Sequence, residues 1–143
     1  MERKPRRVAS LPALGGAIGA LAVDALYLNL IIEQGAVMPG ARVPFIATWI
    51  ALAALLAGIG AFTALPAARA WLLGFSAAAL LALGFPAIFS IGIPLFLCSL
   101  PVAVGALRAG KLLQRPGWVA LLAPVMLLAV AGALAIGFVL TNP

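Results

Sequence analysis

Histidine is absent from this chain of 143 residues, cysteine occurs once, and only three residues are acidic. Without histidine there is no imidazole for haem, for a Cys/His zinc site or for Ser-His or Cys-His nucleophilic catalysis. A lone Cys98, set in an apolar segment, leaves no disulfide to form within the chain. Almost no buried nucleophile, general base or ligand set remains. The expectation is a protein that is not an enzyme, with no catalytic residue, no metal site and no cofactor.

Charge is scarce as well. Charged residues make up 8% of the chain and hydrophobic residues 66%, with a mean hydropathy of +1.25. A soluble domain carries about 25% charged residues, so the composition is that of an integral membrane protein. The net charge of +6 is no nucleic-acid signature, because the basic residues lie between apolar runs instead of along one face. No nucleic-acid partner is expected; lipid is. The preference for Arg over Lys and the wealth of Ala and Gly suggest a bacterial source.

The apolar runs approach the ~20 residues that cross a ~30 Å hydrocarbon core as a helix. They are too long and too uniform for the alternating strands of an outer-membrane barrel. The fold class expected is therefore all-α, a polytopic transmembrane bundle formed by a single domain over residues 1–143, with 1–10 as a basic arm. Three spans are plain: 11–32, 44–64 and 118–140, separated by breakers that include Pro39, Gly40 and Pro66. The first run is longer than the apolar core of a cleaved signal peptide, so it reads as a helix that stays.

Residues 71–107 carry no charge at all. One helix of that length would extend ~55 Å, nearly twice the hydrocarbon thickness, so the segment has to turn. GFPAIFSIGIP, 84–94, gathers the breakers near its midpoint and divides it into helices at 71–87 and 91–107. With five helices, every basic residue except Arg42 falls on one side. The positive-inside rule then puts the N-terminus in the cytoplasm and the C-terminus outside. The alternative is a re-entrant hairpin over 71–107, disfavoured because irregular backbone exposed to lipid is costly.

Asp24 stands within the first run, about 4 Å past its midpoint. An Asp at that depth costs roughly 2.5–3.5 kcal/mol on insertion scales, which calls for a shielded place. At ~100° per residue, Gly16, Ala17, Ala20, Asp24, Tyr27 and Leu28 share one face, and Asn29 and Glu33 the opposite one. Gly16 and Ala20 form a small-residue seam for helix packing that ends at Asp24. Asp24 and Tyr27 are the candidate functional or partner-contact pair, with Tyr27, Thr48 and Ser76 as possible donors to the carboxyl. Asn29, Glu33, Gln34 and Arg42 suit an interfacial cap. Trp49, Trp71 and Trp118 suit aromatic belts, and Pro94 and Pro101 are candidate kinks in the fourth helix.

Two functions fit. The first is a non-catalytic accessory subunit that acts by helix packing with a membrane-protein partner or with a second copy of itself. The alternative is a small proton- or cation-coupled transporter or channel component that uses Asp24. Either one is a multi-pass protein expected in the bacterial cytoplasmic membrane.

Overall fold

A computed structural model of the chain describes residues 10–35, 41–112 and 116–141, with backbone alone for 116–123. The basic arm with Arg3, Lys4, Arg6 and Arg7, the breakers Pro39 and Gly40, Arg115 and the side chain of Trp118 lie outside the described residues. Five α-helices follow one another: α1 (Leu11–Glu33), α2 (Arg42–Phe62), α3 (Pro66–Gly84), α4 (Ile93–Lys111) and α5 (Pro116–Leu140). A π turn, Ile88–Gly92, runs into α4. Among the described residues there is no strand, and four helices, α1 to α3 and the π turn with α4, are long and apolar enough to cross a membrane.

The helices pass up and down in sequence. At one end Ser10 N donates to Ala61 O at the close of α2, and Gly105 of α4 lies beside Ser10 and Ala13. At the other end Tyr27, Arg42, Leu83, Ser90 and Phe138 surround one cavity. The 71–107 segment therefore runs the full height of the bundle twice. A re-entrant hairpin would turn back partway, as these helices do not.

Helix ends differ from those expected because hydropathy stops at a charge and a helix need not. Pro66 opens α3 instead of ending α2, since a first-turn residue has no intrahelical N–H bond to lose. Arg69, expected in a loop, sits in the first turns of α3. From there its Nε donates to Gly60 O at 3.3 Å and its Nη2 to Ala61 O at 2.8 Å, adding a cationic donor to carbonyls at the C-terminus of α2 that also accept from Thr63 N and Ser10 N. Arg108 and Lys111 likewise belong to the last turn of α4, where cations meet the negative end of the helix dipole. Between α3 and α4 the chain turns tightly: Gly92 N donates to Ala87 O at 2.7 Å, a bond five residues back. Gly92 packs against Gly84 O, a place with no room for a side chain.

Packing is inverted relative to a soluble core. The buried positions are largely alanine, among them Ala13, Ala20, Ala53, Ala57 and Ala79, whereas Leu and Ile crowd the exposed surface. Lipid is as apolar as leucine, so helix association there gains from close backbone approach and not from burying large side chains. α1, α2, α3 and α4 close a ring in which each packs on its sequence neighbour and α1 meets α4; α5 lies outside against α3.

Candidate functional site

Asp24 lies two residues past the midpoint of α1, about 3 Å along its axis. Its side chain is 8% exposed, and its Oδ1 is buried and receives no hydrogen bond from a described residue. Ala20 and Val23 on the same face belong to the apolar core with Ile50, Leu80 and Leu95. Asp24 is thus shielded by helices of its own chain.

The donors expected from the sequence are engaged elsewhere or out of reach. The Ser76 hydroxyl donates to Ala53 O at 2.6 Å, tying α3 to α2. Thr48 is exposed, and the Tyr27 hydroxyl makes no hydrogen bond among the described residues. Trp49 is not confined to an interfacial role: its Nε1 donates to Ala79 O at 3.3 Å and joins α2 to α3.

Tyr27 links Asp24 to a cavity. It stands one turn further along α1, within electrostatic reach of both the Asp24 carboxyl and the Arg42 guanidinium. The cavity, about 430 Å³, is lined by Tyr27, Arg42 and Ser90 and by the apolar Leu83, Ile91 and Phe138, so α1, α2, α3, the π turn and α5 all contribute. The Arg42 guanidinium rests 5.2 Å from the centre of the Phe138 ring. Phe138 packs edge-on to Phe45, and Gly137 lets the Phe45 ring lie against α5. The expected polar cap divides here: Asn29 Nδ2 donates to Glu33 Oε1 at 3.0 Å on an exposed face, and Arg42 turns to the aromatic wall.

The small-residue face meets α4. A Cβ on Gly16 would stand 2.5 Å from Val102 Cγ2 and 2.7 Å from the Cys98 carbonyl oxygen, and Ala20 is fully buried. Gly19 faces the Cys98 thiol, while Gly15 faces open space. Leu28, placed by periodicity on the Asp24 face, is exposed at its edge. Pro101 lies inside α4 against Gly16. Pro94 occupies the first turn of α4, directly after the π turn that runs into it.

Arg42, Ser90 and Phe138 carry no motif that joins them in the sequence. Their one signal was Arg42, the single base on its side of the charge distribution. Among the described residues no three His, Cys, Asp or Glu side chains gather as a metal site would need. No family model, curated protein or solved structure matches the chain, so the functional reading rests on these side chains.

Proposed function

We propose that this chain is a small proton- or cation-coupled transporter or channel component of the bacterial cytoplasmic membrane, with Asp24 as its ion site. The observation that carries the reading is the Asp24 carboxyl near mid-depth, with one oxygen buried and unmatched, one turn from the cavity at the Arg42 end. A charged carboxylate left without donors in an apolar setting costs several kcal/mol. A proton or a small cation arriving along Tyr27 relieves that cost, and both are cargo that such a site can release again.

The accessory-subunit reading gives Asp24 a partner from another chain. It loses force because the helices of this chain already enclose the carboxyl. The distribution of basic residues supports a cytoplasmic N-terminus, which puts the Arg42 end on the outer face.

Proteoliposomes holding a pH-sensitive dye test the reading. An inward proton gradient should acidify vesicles that contain the native chain faster than vesicles that contain Asp24→Asn, with Asp24→Glu intermediate. Equal rates for native chain and Asp24→Asn, with proton and with sodium gradients alike, refute it.

A further inference from the structure

Among the described residues Arg42 is the one basic residue at its end of the bundle, and no carboxylate pairs with it. Glu33, the acid nearest to it in sequence, accepts instead from Asn29 on an exposed face. The guanidinium lies over Phe138 with its N–H edge free to serve a ligand, at the mouth of a cavity whose other polar group with an uncommitted donor is the Tyr27 hydroxyl. Ser90 already spends its hydroxyl hydrogen on Ala87 O at 3.1 Å, which leaves an oxygen that accepts. The remaining wall, with Ile46, Leu83, Ile91 and Phe138, is apolar.

A cation charge, a phenol donor and an apolar wall select one ligand chemistry. We infer that the cavity binds a compact organic anion, a carboxylate on an apolar body, with Arg42 and Tyr27 holding the charged end and Leu83, Ile91 and Phe138 the body. The guanidinium offers paired N–H donors that match both oxygens of a carboxylate. A volume of about 430 Å³ admits a monocarboxylate of a few carbons or a single ring. A simple inorganic anion would leave the apolar wall unused.

This ligand deepens the ion-site reading and rests on it for one consequence, coupling. Tyr27 is the group through which the two sites communicate, within electrostatic reach of the Asp24 carboxyl on one side and of the Arg42 guanidinium on the other; on α4 the Cys98 thiol lies against Gly19, and α3, the π turn and α5 bring no charge to this end. A second negative charge beside Tyr27 therefore disfavours an ionised Asp24. Anion and proton then strengthen each other's binding by the same factor, which is the linkage a symporter needs.

The test uses the full chain in nanodiscs of zwitterionic phosphatidylcholine and measures radiolabelled benzoate by equilibrium dialysis, over the pH range in which benzoate remains ionised. Saturable binding is expected, weakened about tenfold or more in Arg42→Gln and less in Arg42→Lys, which keeps the charge. Binding should tighten as pH falls and lose that dependence in Asp24→Asn. Phosphatidylglycerol nanodiscs separate the sources of the anion: displacement of benzoate there assigns the same site to a lipid headgroup, and undiminished binding assigns it to a soluble carboxylate. Absent saturable binding, or binding equal in native chain and a folded Arg42→Gln, overturns the anion site and leaves Asp24-dependent proton flux standing. Benzoate bound through Arg42 with no Asp24-dependent proton movement overturns the ion-site reading and keeps the anion site.

Discussion

Gly16 of α1 lies against the main-chain carbonyl of Cys98 in α4, so close that a Cβ there would stand 2.7 Å from the oxygen. This approach brings α1 to the ring and sets the depth and direction of Asp24, two turns further along the same face. Gly16→Val should destabilise the folded bundle by about 1–3 kcal/mol through overpacking. Gly15→Val, which meets nothing within 4 Å, should change stability by less than about 0.5 kcal/mol. Thermal unfolding in mild detergent reads both, and equal behaviour of the two variants would contradict the packing.

Arg69 crosses from α3 to the last carbonyls of α2. Arg69→Gln should cost about 1 kcal/mol, since two charge-assisted bonds to helix-end carbonyls are lost at a half-buried site. The loss should show as a lower unfolding temperature in detergent. Asp24-dependent flux should survive, because Arg69 lies at the opposite end from the cavity.

The proposed orientation of the bundle rests on Arg42 being, among the described residues, the one basic residue at its end. A Ser90→Cys variant on a Cys98→Ala background should react with an impermeant thiol reagent added outside intact cells. Labelling only after permeabilisation would reverse the assignment and place the cavity on the cytoplasmic side.

The five-helix bundle was legible in the sequence, and so was the inner face of α1. Asp24, Ala20 and Gly16 share a side because a helix advances ~100° per residue, and that arithmetic holds whatever surrounds it. Helix ends were read less well. Arg69, Arg108 and Lys111 mark where hydropathy stops, yet each lies inside a helix whose end it or a neighbouring helix uses. Trp49, placed at a membrane interface from the sequence, bonds to Ala79 because only tertiary packing brings that carbonyl within reach.

The cavity was not legible. It joins Tyr27, Arg42, Ser90 and Phe138 from segments far apart in the chain, with no shared periodicity to betray them. The cation–π contact between Arg42 and Phe138 depends on α5 returning to the end where α2 begins. Removing the aromatic wall with Phe138→Ala should weaken benzoate binding, as Arg42→Gln does, while sparing proton flux through Asp24. Dialysis and dye measurements on the same preparation separate the two effects.

The protonation of Asp24 itself is the most direct test of the ion site. Infrared difference spectra of the reconstituted chain, recorded between acid and alkaline buffer, should contain a carboxyl C=O band that appears on acidification and is missing from Asp24→Asn. A spectrum unchanged by that substitution would mean that Asp24 exchanges no proton with either side; if sodium added at constant pH also leaves the carboxylate bands unmoved, Asp24 is not an ion site.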